Sequence, residues 1–416
     1  MEIVRQASRG DIDRVIEVLD KAFNRNIVGD REVYEKKYRE IEKGMDNWLV
    51  LEADGKVIGA VRIIKHWMRI GKSKILKGDV GEVSILPECQ GKGYGHKLME
   101  GTVRWMVENN YDISRLGGLC KFYKRFGYIR FPRRYIEIEI GRKAGAGASM
   151  VEEGEVMIEE EMLKKIDTFR AGDEGKCIKL RDEFNSRYNG SLIEESFGIS
   201  PLFYVFREDG DVSGYIGGTR YEKEYSEFEA RITIYQIAYR IDKPYVIQSL
   251  IKYINNLAYR EGINRITLRI PFDPEIINAI KEIPVRFRLV ETYGGISGNM
   301  LQVINMESLF RRLVPELEAR LERSVMGLYT GVIRISIEKG NVILDIKRGK
   351  IDVVSNAKAD TEIEIKEFYL LQLLLGLLSF SEVEVILEKK TGVKANERDL
   401  LNILFPRCPV FSGNWG

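Results

Sequence analysis

The sequence is poor in the residues that build disulfide frameworks and metal centres. Its 416 residues include only four cysteines and two histidines. The cysteines are scattered, with no C-x-x-C pair among them. A large chain with so few dispersed cysteines lacks both the density of a disulfide scaffold and the paired spacing of a structural zinc site. We therefore expect no metal.

Long apolar runs and an excess of one charge are also missing. The longest apolar stretch, residues 369–378, is well short of the roughly 20 residues that cross a bilayer. The 65 basic and 63 acidic residues leave a net charge of +2, which gives no reason to invoke nucleic acid. The first five residues lack the basic-then-apolar order of a secretory signal. These features predict a cytoplasmic protein with no membrane or nucleic-acid partner.

Strand and helix signals divide the chain into three parts. They alternate through residues 3–140, ending in a strand at 135–140, and the small residues 143–149 form the best linker candidate. A second alternating unit follows. Beyond residue 300, strand-like segments with hairpin turns predict an antiparallel sheet covered by a buried helix at 369–378. The predicted fold is mixed α/β, with domains at 1–142, 150–298 and 299–416.

The strongest chemical signal is a glycine-rich turn between a strand and a helix. A strand-like stretch at 82–87 leads into the turn at 90–95, and a helical pattern opens at once behind it. Three glycines allow a tight bend with inward-facing N–H groups, and the helix contributes the positive end of its dipole. The turn therefore predicts a cradle for the pyrophosphate of a phosphorylated cofactor.

This motif resembles the acetyl-CoA signature of the GNAT N-acetyltransferases, and the resemblance covers roughly residues 1–140. Strand, proline, glutamine, glycines and helix fall in the order of that family. The resemblance implies acetyl-CoA as cosubstrate, with its pantetheine arm lying along the strand. It also implies a backbone N–H near Ile85 that stabilises the thioester oxyanion. The implied cofactor-binding residues are Val83, Ser84, Ile85, Gln90, Gly91, Lys92, Gly93, Tyr94, Gly95 and His96.

Two side chains are candidates for proton transfer. Residues 122–128 look like a second GNAT segment, whose tyrosine, here Tyr123, faces the coenzyme A sulfur and protonates the leaving thiolate. The alternative is an aromatic ring packed under the cofactor. The attacking amine needs a base, and Asp79 lies four residues before Val83, so strand alternation predicts that both share a face. Some GNAT enzymes carry a glutamate base there, although a structural carboxylate remains the alternative.

The layout of the whole chain supplies a rival base. The second unit resembles a degenerate GNAT domain, because no glycine separates its strand at 232–239 from its helix at 245–260. With a part that resembles sterol carrier proteins at 299–416, the chain resembles the Eis (enhanced intracellular survival) acetyltransferases. That resemblance implies a homo-oligomer, specifically a hexamer, whose C-terminal domain is a scaffold. It also implies that the terminal carboxylate, here that of Gly416, reaches the active site.

The expected function is acetyl-CoA-dependent N-acetyl transfer. The acceptor is expected to be the primary amine of a small polyamine-like, aminoglycoside-like or lysine molecule, acetylated directly in a ternary complex. The alternative is a lipid or hydrophobic-ligand binding protein whose GNAT domain is vestigial.

Overall fold

The computed structural model describes residues 2–140, 155–221, 230–386 and 395–411. The predicted linker at 143–149 lies outside these ranges. The described residues form three β-sheets with helices packed against them, so the predicted mixed α/β class is confirmed. No helix among the described residues is long and apolar enough to span a membrane.

Strands and helices are numbered here along the chain. The first sheet consists of β1 (Glu2–Gln6), β2 (Trp48–Ala53), β3 (Lys56–Ile70), β4 (Ser73–Ile85), β5 (Ile113–Leu119), β6 (Ile129–Arg130), β9 (Leu192–Ile193) and β15 (Ser297–Val303). Its order is β1-β2-β3-β4-β5-β15-β6, with β9 paired to β3. The helices that accompany it are α1 (Ile12–Phe23), α2 (Arg31–Lys43), α3 (Tyr94–Glu108) and α4 (Cys120–Tyr123).

The second sheet is built mostly from the middle of the chain. Its strands are β7 (Arg133–Glu139), β8 (Ile166–Thr168), β10 (Leu202–Glu208), β11 (Asp211–Tyr221), β12 (Arg231–Tyr239), β13 (Arg265–Leu268) and β14 (Arg286–Thr292), in the order β14-β7-β13-β12-β11-β10-β8. Its helices are α5 (Glu160–Lys164), α6 (Glu174–Asn185), α7 (Pro244–Arg260) and α8 (Pro274–Lys281).

The two large sheets exchange strands. The strand predicted at 135–140 exists as β7, but its place in the first domain was wrong, because β7 pairs with β13 and β14 in the second sheet. In return, β15 comes after the whole second sheet in the sequence and pairs with β5 and β6 in the first. β15 thus lies between β5 and β6, which are consecutive strands in the sequence. The sheets therefore cross the predicted boundary at 142.

The C-terminal part packs directly on the first sheet. It contains α9 (Met306–Glu322), β16 (Gly331–Ile337), β17 (Gly340–Lys347), β18 (Lys350–Val354), β19 (Thr361–Glu364), α10 (Glu367–Leu375), α11 (Phe380–Ile386) and α12 (Ala395–Leu404). The four strands form one sheet in the order β18-β17-β16-β19. Five leucines of α10 share one apolar core with these strands and with Met68, Ile113 and Leu301 of the first sheet.

One buried asparagine joins all three parts of the molecule. The Asn189 side chain accepts a 2.8 Å hydrogen bond from the backbone N–H of Gly71 at the β3–β4 turn. The same side chain donates a 3.0 Å hydrogen bond to the carbonyl of Leu375 at the end of α10. Its backbone forms a parallel bridge with Val410. The position of the last described residues is therefore tied to the first sheet.

Candidate functional site

The neighbouring strands β4 and β5 separate halfway along their length. They pair in parallel only where residues 77–80 face residues 113–116. Beyond this point β4 continues to Ile85 and β5 to Leu119, with no pairing between them in the described chain. We call the opening between residues 81–85 and residues 117–119 the splay. Backbone groups along its two edges can form hydrogen bonds with an extended molecule, which would lie there as an added strand.

A bulge in β4 changes which residues share a face. Arg62 of β3 faces Gly81, but Ala60, two residues earlier, faces Ser84, so β4 carries one extra residue. Glu82 takes up the irregularity with a φ of 50°. Asp79 therefore shares its face with Gly81 and Ser84 rather than with Val83. The alternation argument that placed Asp79 and Val83 together was wrong, because it assumed an unbroken strand.

The backbone of Ile85 points into the splay. The adjacent Leu86 N–H bonds to the Ile58 carbonyl at 2.9 Å, so Ile85 directs its own backbone groups away from β3. Its carbonyl accepts a 3.0 Å hydrogen bond from the side chain of Gln90. The Ile85 N–H thus remains the group that can meet an oxyanion in the splay. The Ser84 hydroxyl instead donates to the Ala60 carbonyl and is buried.

The glycine turn presents a row of backbone N–H groups in front of α3. Gly91 and Gly93 have φ values of 75° and 86°, which L side chains rarely adopt. The first internal bond of the helix runs from the His96 N–H to the Gly93 carbonyl. The N–H groups of residues 91–95 bond no acceptor in the part of the chain that the structure describes. With the helix dipole behind them, these donors fit a pyrophosphate.

The remaining predicted cofactor residues have different environments. Lys92 is exposed beside the turn. Gly95 is in ordinary contact with the ring of Phe122, since a Cβ there would lie 3.6 Å from Cζ. The His96 ring packs 4.9 Å from that of Phe126, and its Nε2 lies 3.0 Å from Glu100. His96 therefore contacts Glu100 of its own helix and Phe126 of the segment that follows α4.

Tyr123 lies against the other edge of the splay. A Cβ on Gly118 would collide with the Tyr123 ring, so the glycine lets that ring pack on the β5 backbone. Burial raises the pKa of Tyr123, which keeps the phenol protonated at neutral pH. Its hydroxyl has no hydrogen-bond partner among the described residues. The neighbouring Tyr128 is completely buried, and its hydroxyl shares a 2.7 Å hydrogen bond with Ser114.

Asp79 belongs to a buried charged cluster on β3 and β4. Its Oδ2 lies 2.9 Å from Nζ of Lys77 and 3.2 Å from Nε2 of His66. Burial lowers the pKa of Lys77 and of His66, and the Asp79 carboxylate opposes both shifts. Oδ1 of Asp79 is buried without a hydrogen-bond partner in the described ranges. Lys77 lies two residues before Asp79 on β4, so alternation along the full strand would have placed it on the same face, whereas only the β3–β4 register brings His66 close.

Two arginines converge on β5 at the splay. The point that a Cβ atom would occupy on Gly117 lies 3.9 Å from Nη2 of Arg115 and 3.9 Å from Nη2 of Arg133. Nε of Arg115 donates a 2.8 Å hydrogen bond to Oδ1 of Asn299 on β15. The pKa of each of these arginines is lowered, mainly by burial. A cavity of about 460 Å³ opens here, lined by Gly117, Gly118, Arg133, Gly298 and Asn299 among others.

The last described residues lead toward the same region. Phe411 is buried, and its N–H donates a 2.8 Å hydrogen bond to the carbonyl of Asn189. Phe411 lines a cavity of about 350 Å³ together with Glu194 and Arg269. The predicted catalytic carboxylate of Gly416 lies outside the described residues. No cluster of histidine, cysteine or acidic residues suited to a metal ion occurs within the described ranges.

Comparisons with known proteins match this part of the chain to an enzyme domain. Residues 3–130 match the family model of the acetyltransferase (GNAT) domain. An uncharacterized N-acetyltransferase from Archaeoglobus fulgidus is 28% identical over 117 residues, which cover 27% of this chain and 79% of that protein. The matched segment holds β4, the glycine turn, α3 and Tyr123.

Solved structures resemble the chain over nearly its whole length. A GCN5-related N-acetyltransferase from Anabaena variabilis has a TM-score of 0.65 and 17% identity, covering 97% of each chain. Eis1 from Mycobacterium abscessus has a TM-score of 0.60 and 15% identity, covering 99% of each chain. At these identities the likeness shows a shared fold.

Proposed function

We propose that this N-acetyltransferase, whose residues 3–130 form a GNAT acetyltransferase domain, binds acetyl-CoA across the splay and acetylates a primary amine directly. The observation that carries the proposal is the presence of three features at one opening. The Ile85 N–H lies on the β4 edge of the splay, the N–H groups of residues 91–95, which bond no described acceptor, follow that edge, and the Tyr123 ring lies against the β5 edge. They match the thioester oxygen, the pyrophosphate and the sulfur of one extended cosubstrate.

The cosubstrate is held mainly by backbone. We assign its pyrophosphate to the N–H groups of the glycine turn, with Lys92 adding positive charge beside it. The pantetheine arm then enters the splay from the turn and runs along the β4 edge formed by Ile85 and Val83. As the amine attacks the thioester carbon, the negative charge that develops on oxygen meets the Ile85 N–H.

Two proton movements complete the reaction. The amine arrives mostly as an ammonium ion, so one proton must leave before its lone pair can attack. When the C–S bond breaks, Tyr123 gives its phenolic proton to the departing thiolate. Because burial raises the pKa of Tyr123, the phenol enters each cycle protonated.

We assign the first proton transfer to the Gly416 carboxylate, with Asp79 as the alternative. Five residues separate Phe411 from the chain end, and when extended they span at most roughly 17 Å. Arg115 beside Gly117 supplies a cation that can hold a carboxylate at the splay. The Asp79 carboxylate is buried and already contacts Lys77 and His66, which leaves it less available to a substrate amine.

The assigned base is tested by adding one residue after Gly416. The extension moves the terminal carboxylate without altering any described contact. We expect kcat to fall by about 10²-fold, while the affinity for acetyl-CoA stays unchanged. Full activity in the extended enzyme would exclude Gly416 and make Asp79 the base.

The function itself is tested by thiol release. Acetyl-CoA is mixed with the enzyme and a panel of amines that contains polyamines, aminoglycosides, amino acids and lysine peptides, and free coenzyme A is measured. We expect amine-dependent release with at least one class. A protein that releases no thiol with any acceptor would instead be a binding module with a vestigial domain.

The rest of the molecule is proposed to be a scaffold. We propose a degenerate GNAT-like second domain and a C-terminal domain of the sterol-carrier type, on the strength of the whole-chain likeness to Eis1. The leucines of α10 lie in the core shared with β16–β19, which favours a scaffold over a lipid carrier. A homo-oligomer, and specifically a hexamer, remains a proposal from the same resemblance.

A further inference from the structure

We propose that the acceptor amine also carries a carboxylate, as an amino acid does, and that Arg133 and Arg269 bind that carboxylate. This inference rests on the proposed acetyl transfer at the splay and narrows its acceptor class. The proposal replaces a polycationic acceptor with a zwitterionic one.

The first argument is that neither guanidinium group has a counterion within the described ranges. Neither Arg133 nor Arg269 makes a side-chain hydrogen bond or ion pair with any described residue, although both side chains remain accessible. The adjacent Arg134, in contrast, lies 3.4 Å from Glu291 and stacks over Phe272. Partial burial lowers the pKa of Arg133, and the charge of Arg269 lowers it further. An anion bound between the two guanidinium groups would offset the repulsion between their charges.

The second argument is position. Nη2 of Arg133 lies 3.9 Å from the point that a Cβ would occupy on Gly117, so it stands at the mouth of the splay. Arg133 lines the cavity of about 460 Å³ that also contains Gly118. Arg269 lines the cavity of about 350 Å³ that also contains Phe411. A carboxylate held by this pair would leave the amine of the same small molecule within reach of the thioester.

The third argument is the local charge balance. A site for polyamines or aminoglycosides needs an acidic lining, because those acceptors carry several positive charges. In the described residues the opposite holds, since more cations than carboxylates line the two cavities. The cations are Arg133, Arg181 and Arg269, and the carboxylate is Glu194. The carboxylate of Gly416, if it acts as proposed above, leaves the balance positive.

The test compares amines that differ by the carboxylate. Lysine is paired with cadaverine, ornithine with putrescine, and phenylalanine with phenethylamine. We expect kcat/KM of the wild-type enzyme to favour the carboxylated member of each pair by about tenfold or more. We expect Arg133→Gln and Arg269→Gln each to reduce that preference ratio by about tenfold. Arg286→Gln is the matched control, because Arg286 is exposed at the opposite end of the β7–β14 ladder.

A binding measurement separates this inference from the proposed function. Each amine is titrated calorimetrically into the enzyme saturated with coenzyme A, which forms a complex that cannot react. Tighter binding of the carboxylated members, weakened by both arginine variants and not by the control, supports the inference even if no acetyl transfer occurs. Equal binding within each pair, or a preference that survives both substitutions, overturns it even if acetyl transfer is observed.

Discussion

At the scale of single residues, the hydroxyl groups of two neighbouring tyrosines differ in what they touch. Tyr128 is fixed in the core by its bond to Ser114, whereas the Tyr123 hydroxyl has no partner in the described chain and its ring lies on Gly118. A proton donor must be free to reach the sulfur, so this contrast favours Tyr123. The sequence pattern selected the same tyrosine, because the motif fixes its spacing from the glycine that follows.

Replacing Tyr123 with Phe tests this role. The substitution removes the acidic proton and keeps the ring, so we expect kcat to fall by about 10²-fold with little change in acetyl-CoA affinity. In the wild type the raised pKa predicts that the alkaline limb of kcat lies above the ordinary tyrosine value of about 10. Tyr111→Phe, which alters another buried tyrosine of the domain, serves as control. Unchanged turnover in Tyr123→Phe would rule out Tyr123 as the proton donor to the thiolate.

Asp79→Asn tests the buried charge cluster. The change leaves Lys77, which is wholly buried, without its carboxylate, and we expect a loss of about 3–5 kcal/mol in the free energy of unfolding. Burial lowers the folded-state pKa of Lys77, so the charged amine destabilises the fold as pH falls below its unfolded value of about 10.4. The loss should therefore be smaller near pH 10 than near pH 6. Urea unfolding at both pH values measures it, with the exposed Asp352→Asn as control.

At the scale of elements, local chemistry was predictable and pairing between distant strands was not. The strand, glycine turn and helix at 82–96 are contiguous in sequence, and so is the leucine-rich helix that the structure shows as α10. The bulge at Glu82 left no mark in the sequence, because nothing marks a non-glycine residue that adopts positive φ. The helix α2 buries only Ile41, so its apolar periodicity was too weak to signal a helix.

Substitution of one turn glycine tests the cradle. Gly93 has room for a side chain but a φ of 86°, so Gly93→Val forces the turn out of shape for conformational reasons alone. We expect at least about tenfold weaker binding of coenzyme A, because the N–H groups lose their common direction. Gly175→Ala on α6 is the matched control, since it is helical with open space around it. Calorimetry measures the coenzyme A affinity of both variants, and equal affinities would contradict the role of the glycine turn in binding the pyrophosphate.

At the scale of the whole molecule, the exchanged strands make the enzyme domain depend on distant sequence. The family match ends at residue 130, yet β15 stands between β5 and β6 and carries Asn299, which orients Arg115. Local periodicity could not predict this, because the pairing joins segments on either side of the whole second sheet. The segment that matches the family model is thus smaller than the unit that completes the site.

A fragment of residues 1–142 should therefore fail to fold. It would leave β5 with an open edge and β7 without β13 and β14, so we expect no cooperative thermal transition and no coenzyme A binding. Circular dichroism measures the thermal transition, and calorimetry measures coenzyme A binding, for both the fragment and the full chain. A fragment that melts cooperatively and binds coenzyme A would show that β15 is dispensable.

The same exchange sets the order of events during synthesis. When β5 leaves the ribosome, the strand that covers its outer edge has not been made, and it emerges only after the entire second sheet. Until then the nascent chain carries an unprotected strand edge beside its future catalytic opening. We therefore expect a partly translated chain to lack acetyl transfer and to be exposed to self-association through this edge until β15 is made.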